Sequence, residues 1–319
     1  MARTRPGRSC PRHYRYSPAV FSRAADLETQ SLYIVGGLYG NPFALEAVLD
    51  LARRENATLV FNGDFNWFDV DSEGFGAINE TVLRHAALRG NVETEIAGED
   101  AGAGCGCGYP DWVGEAEVER SNEILKRLRE TARGHPDLRA RLGDLSMHLV
   151  AEVGGLRIGI AHGDAESLAG WQFSQEALRE RPERAEALLA GAAIDVFACT
   201  HTCLPVMQDF ATPRGTALVV NNGAAGMPNF RDTRFGLATR IASTPSAQAL
   251  YGARLGGTVV EAVPVRYDHD AWMARFDRVW PAGSPAALSY RERIASGPGY
   301  EVKQALRTGA RAGAFSRAA

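Results

Sequence analysis

Short apolar runs that stop abruptly at a polar side chain constrain this chain more than any other feature. "ATLVFNGD" (57–64) ends on Asp64, "IGIAHGD" (158–164) on His162 and "IDVFACTHT" (194–202) on His201. Asn91 closes the segment "EGFGAINETVLRHAALRGN" (73–91), read as a helix followed by a turn. β-Branched runs of this length, bounded by Gly and polar residues, read as buried strands. "SLYIV" (31–35) is a further such run. After its glycine turn, Asn41-Pro42 supplies an N-cap and a proline at the first helical position. Phe43, Leu45, Val48, Leu49 and Leu51 then give that helix an apolar face. Alternating strands and helices predict an α/β layered fold. In such folds ligands gather beyond the carboxyl ends of the strands, which would bring Asp64, Asn91, His162 and His201 together.

The 319 residues divide on this reading into an irregular, proline-marked arm (1–28), a main domain (29–270), a helical extension (271–306) and a disordered tail (307–319). Within the main domain lie a Gly/Cys-rich loop, "IAGEDAGAGCGCGYPDWVG" (96–114), and a charged helical insertion (165–191). A loop that long without periodicity is usually functional or mobile. Gly154-Gly155 between two strand-like runs predicts a hairpin.

The net charge of -3 gives no electrostatic case for nucleic acid or a membrane surface as partner. The basic N-terminus lacks an apolar core segment, so a cytoplasmic protein is the expectation. Five cysteines are too few and too unevenly spaced for a disulfide scaffold.

One carboxylate, one amide oxygen and two imidazoles suit a hard-to-borderline divalent ion such as Mn²⁺, Fe²⁺, Ni²⁺ or Zn²⁺. Each residue alone has a plainer reading, as a turn, cap or packing residue. Four such groups, each following a strand or entering a turn, make the metal reading the sharper one.

Taken in order, these segments resemble the blocks of the calcineurin-like metallophosphoesterases, across about residues 31–268. "GLYGN" (37–41) stands where that family has Asp-x-His-Gly-Asn; Gly63-Asp64, "GNVE" (90–93), His162-Gly163 and "THTCLP" (200–205) follow in family order. The resemblance implies a β-sandwich flanked by helices in an αββα arrangement. It implies hydrolysis of a phosphate mono- or diester at a two-metal site bridged by the Gly-Asp carboxylate. Asp64, Asn91, His162 and His201 match one metal's ligands, with Asp64, Asn91 and His201 activating water and positioning phosphate. The other metal's private ligands are replaced by Gly37, Tyr39 and Cys203, and the family's proton-donating histidine by Val92.

Several expectations follow from the resemblance and its departures. At least one divalent ion is held, the second being doubtful. Tyr39 and Cys203, joined by Cys105 or Cys107, are candidate replacement ligands, as thiolates and phenolate, against the plainer reading of packing and loop residues. Arg89 and Arg231 are candidate phosphate binders, against a solvated-surface reading. A small phosphorylated substrate or ligand is the expected partner. The alternative is a catalytically silent protein of this fold that binds a phosphorylated ligand or a protein.

Overall fold

The computed structural model describes residues 5–99, 102–308 and 315–316. Two seven-stranded sheets stack face to face. The first runs, in spatial order, Phe315–Ser316 (β14), Tyr251–Leu255 (β11), Thr258–Val265 (β12), Gly236–Ala242 (β10), Ser31–Val35 (β2), Thr58–Asn62 (β3) and Ala86–Leu88 (β4). The second runs Leu27–Thr29 (β1), His148–Val153 (β5), Leu156–Ala161 (β6), Val196–Cys199 (β7), Gly215–Asn221 (β9), Val206–Thr212 (β8) and Leu306–Arg307 (β13).

Strand residues alternate between two buried faces, which is why these runs lack polar positions. Leu32, Ile34 and Val60 face Ile158, Ile160, Val196 and Leu218 in the core between the sheets. Their neighbours Tyr33, Val35, Leu59 and Phe61 point the other way. There they meet Pro42–Glu55 (α1), Ser72–Val82 (α2) and Glu115–Arg133 (α4). Phe197 and Cys199 turn outward from the second sheet onto Pro182–Ala192 (α7). The layering is therefore helix, sheet, sheet, helix. The remaining helices are Asn91–Ala97 (α3), Pro136–Gly143 (α5), Gln175–Glu180 (α6), His269–Val279 (α8), Pro285–Ser296 (α9) and Val302–Ala305 (α10).

Several local expectations need correction. The segment 73–91 is not one helix: α2 stops at Val82, and β4 adds a short parallel edge strand before Gly90. Only 175–180 and 182–192 of the insertion are helical, because Asp164 folds 164–172 into a turn by accepting from the amides of Glu166, Ser167 and Gln172. Phe315–Ser316 pairs with β11; most of the remaining tail lies outside the described residues. The N-terminal arm takes two short 3-10 turns and buries Tyr14 and Phe21 completely. Among the described residues no helix is long and apolar enough to cross a membrane.

The parallel pairs β2–β3–β4 and β6–β7–β9 run their carboxyl ends to the same edge of the sandwich. Asn62, at the end of β3, donates to Ala161 O (3.0 Å) and so joins the two sheets there. Behind this edge, Arg240 ties β10 to β12 and α1 through Glu261 (2.6 Å) and Glu55 (2.7 Å). Glu261 is fully buried, so the pair matters most for what breaking it would leave behind. Arg240→Met should lower unfolding free energy by about 3–5 kcal/mol in chemical denaturation. A change below about 1 kcal/mol would show that Glu261 is satisfied without Arg240.

Candidate metal centre and its cavity

Asp64 leaves β3 through Gly63, and both residues adopt the left-handed backbone region (φ 75° and 52°). Aspartate tolerates that conformation better than most residues, but it still needs holding. Glu93 holds it: its carboxylate accepts from the amides of Asp64 (2.7 Å), Phe65 (3.1 Å) and Gly90 (2.9 Å), and from Asn66 Nδ2 (3.1 Å). Gly90 has to be glycine, because a Cβ there would lie 2.3 Å from Asp64 Oδ1. The close approach lets the Val92 amide donate to that same oxygen (3.2 Å). Asn91, first residue of α3, is thereby set beside Asp64.

His162 follows β6 and His201 follows β7. His162 Nδ1 faces the Asn62 carbonyl (3.0 Å) and His201 Nε2 faces the Cys107 carbonyl (2.9 Å). Only an N–H bonds a carbonyl, so these contacts assign the protons and leave His162 Nε2 and His201 Nδ1 as lone pairs. The two lone pairs stand 3.0 Å apart. Asp64 Oδ2 lies 3.3 Å and Asn91 Oδ1 3.1 Å from His162 Nε2. Asn91 Nδ2 donates to Cys105 O (2.9 Å), which fixes its oxygen toward the cluster.

Four acceptors thus converge with no donor of their own. Ligand atoms held at ~2.1 Å by one cation stand roughly 3.0–3.4 Å from each other, so the donor set fits a divalent ion. The residues' acidities carry the same message. Burial works against charge on Asp64, yet the His162 imidazole outweighs it and holds the carboxyl below its ordinary range. His162 is held above its ordinary value, with Asp64 overcoming the burial penalty. Burial and then the neighbouring His162 push His201 down to about 4. In the ion-free protein this pairing favours a proton on His162, which a cation at the cluster would displace.

The Gly/Cys-rich loop supplies the supporting layer. Gly102, Gly104, Gly106 and Gly108 all take left-handed backbone, and the alternation turns the carbonyls of Cys105 and Cys107 onto Asn91 and His201. The N-terminal arm braces this loop: Gly7 donates to Ala103 O (2.7 Å), and Arg8 donates to Pro110 O (2.7 Å) and Val113 O (2.6 Å). These two residues' part in the site had no sequence signal beyond the loop's length and glycine alternation.

A cavity of about 190 Å³ opens beside the cluster, lined in part by Asp64, Asn91, Val92 and His201. Tyr39 and Cys203 line it too, both in left-handed backbone, with the phenol oxygen 2.9 Å from the thiol sulfur. Burial pushes both groups above their ordinary acidities, so each is neutral near pH 7. Among the described residues no thiol joins Asp64, His162 and His201 as a ligand group. Cys105 and Cys107 are free thiols that act here through their backbone oxygens. Cys199 packs in the outer core.

Neither arginine expected to bind phosphate lines the cavity. The Arg89 guanidinium turns to Gly143 O (2.7 Å), and Arg231 pairs with Glu301 (3.4 Å) at the surface. The cavity's arginine is Arg293, from α9, which donates to Cys203 O and Pro228 O. Sequence reasoning missed it because α9 lies far along the chain from every strand-end motif.

Comparison with solved structures places the architecture. A hypothetical protein from Pyrococcus horikoshii OT3 is 16% identical, covers 84% of this chain and 99% of its own, and superposes with a TM-score of 0.56. A metallophosphoesterase from Sphaerobacter thermophilus is 17% identical, with coverage of 84% and 100% and a TM-score of 0.53. No family model matches the chain, and no curated protein matches it by sequence. At such identities the likeness concerns the fold, and the fold is that of the calcineurin-like metallophosphoesterases.

Because Glu93 positions Asp64 without lining up as a ligand, its loss should act on cation affinity. Glu93→Gln should weaken divalent-ion binding about 10–100-fold in a direct titration. An unchanged affinity would mean that the Asp64 turn holds itself.

Proposed function

We propose that the chain is a metal-dependent phosphoesterase working with one divalent cation, held by Asp64, Asn91, His162 and His201. What carries this reading is the convergence of four lone-pair atoms in a buried site with each imidazole's other nitrogen already committed. Two nitrogens and two oxygens suit Mn²⁺, Fe²⁺, Ni²⁺ or Zn²⁺. A cation so bound supplies Lewis acidity toward a phosphoryl oxygen and acidifies water.

The chain's own residues do the rest. Cys105 and Cys107 carbonyls keep Asn91 and His201 oriented, which preserves their lone pairs for the centre. Arg293 keeps guanidinium N–H groups beyond the two spent on carbonyls, available to a phosphate oxygen. Trp67, Trp171 and Tyr290 wall the cavity and exclude water from one side. Tyr39 and Cys203 remain protonated and hydrogen-bonded to each other, so we assign no second cation to them. Free thiols suit a cytoplasmic setting.

A silent, ligand-binding role is favoured by one observation: Val92 occupies the cavity wall beside Asn91 and offers no proton. Hydrolysis decides between the two. With Mn²⁺, Fe²⁺, Ni²⁺ or Zn²⁺, phosphate mono- and diesters should be cleaved at rates that fall at least 100-fold in Asp64→Asn and His201→Ala. Activity absent in every metal, or indifferent to both changes, would defeat the enzymatic reading.

Cation binding also has a pH signature. His162 holds its proton to a pH above its ordinary 6.5, so a cation binding at pH 6.5 must displace it. Affinity should rise with pH through that raised value and then level off. Calorimetry in buffers of different protonation enthalpy should report proton release of more than about half a proton per ion at pH 6.5, and none well above the raised value. No release at pH 6.5 would place the cation elsewhere.

A further inference from the structure

Aromatic side chains are concentrated around this cavity. Three of the chain's five tryptophans (Trp67, Trp112, Trp171) line it, with Tyr109 and Tyr290. Their arrangement is directional. Trp112 stands at the mouth with 68% of its surface exposed, in edge contact with Trp171 (5.7 Å between ring centres). Trp171 in turn meets the His201 ring at 5.5 Å, and its Nε1 donates to the same Cys107 carbonyl that orients His201. A continuous aromatic wall therefore leads from solvent to the metal centre. An exposed tryptophan gains most when something flat and apolar covers it.

Size narrows the occupant. A cavity of about 150 Å³ accommodates one benzene ring, so 190 Å³ leaves space for one ring and a substituent. The cavity's chemistry narrows it again. His201 is its one histidine among the described residues, and both ring nitrogens are engaged, so no imidazole remains to protonate a departing oxygen. The phenols of Tyr39, Tyr109 and Tyr290 and the Cys203 thiol also line the cavity, but burial makes each a poorer acid than usual. The easiest departure is therefore as an anion, which a phenol with pKa near 10 achieves far more readily than an alkyl alcohol.

We propose that the substrate class is the phosphate ester of a single-ring phenol, its ring held by Trp112 and Trp171 and its phosphate turned toward Arg293 and the metal centre. This rests on the hydrolytic reading above. In the step, the bond between phosphorus and the ring oxygen breaks and its electron pair leaves with the phenolate. A water oxygen bonds to phosphorus, and both its hydrogens stay on the phosphate product. An aryl phosphate dianion and water thus become phenolate and dihydrogen phosphate.

Binding and turnover test it separately. Metal-loaded protein should bind phenylphosphonate about tenfold more tightly than butylphosphonate, read by tryptophan fluorescence. Trp112→Ala, at a position too exposed to disturb the core, should reduce that preference at least threefold. Rates for substituted phenyl phosphates should fall steeply as the phenol's pKa rises. Equal binding of the two phosphonates, or a rate independent of phenol pKa, would overturn the inference even if phosphate esters are hydrolysed. A phenyl preference without any hydrolysis would instead sink the hydrolytic reading and the phenolate step with it.

Discussion

Three acceptor atoms, from Asp64, Asn91 and His201, brought within 3.0–3.3 Å of His162 Nε2 inside the protein form an arrangement that nothing else in the fold can relax. Asp64, Asn91, His162 and His201 repel as a set unless a cation or a proton sits among them. The surrounding structure is organised to hold that tension. Glu93 spends its carboxylate on the Asp64 turn, Gly90 gives up a side chain so that backbone can approach, and two loop carbonyls fix the outer faces of Asn91 and His201. Asn62 both joins the sheets and orients His162. Remove the cluster and these features lose their common purpose.

Another part of the cavity wall carries different chemistry. Tyr39 and Cys203 keep left-handed conformations that bulky residues rarely adopt, at about 1–3 kcal/mol each. They contribute no charge, because each is buried and bonded to the other. What faces the cavity there is mostly apolar and aromatic instead, so a buried polar cluster on one side adjoins an aromatic wall on the other.

Much of this was legible from the residues, and the limits are specific. "LYIV" (32–35) and "VFAC" (196–199) read as buried strands because both faces of each are covered, so every position is apolar. Strand β4 escaped notice because three residues at an edge carry no periodicity, and a helix pattern ran up to it. The cysteines drew attention to this loop for their thiols, while the carbonyls of Cys105 and Cys107 accept from Asn91 and His201 and the Cys107 thiol accepts from Asn91 Nδ2 (3.6 Å). Side-chain chemistry is written in a sequence, whereas the direction of a backbone carbonyl is set by φ and ψ.

The sequence by itself determined most of the buried strands, the position of Asp64, His162 and His201 beyond theirs, and the uncharged residues at Gly37, Tyr39, Val92 and Cys203. These follow from local patterns and residue identity. Only the tertiary structure decided which arginine reaches the cavity, that Tyr39 and Cys203 bond each other, and that three tryptophans share one wall. Arg293 lies 90 positions beyond Cys203, and Trp67, Trp112 and Trp171 come from three separate loops. Contacts between residues so distant carry no period or spacing; they exist because folding the two sheets together brings their loops to one edge.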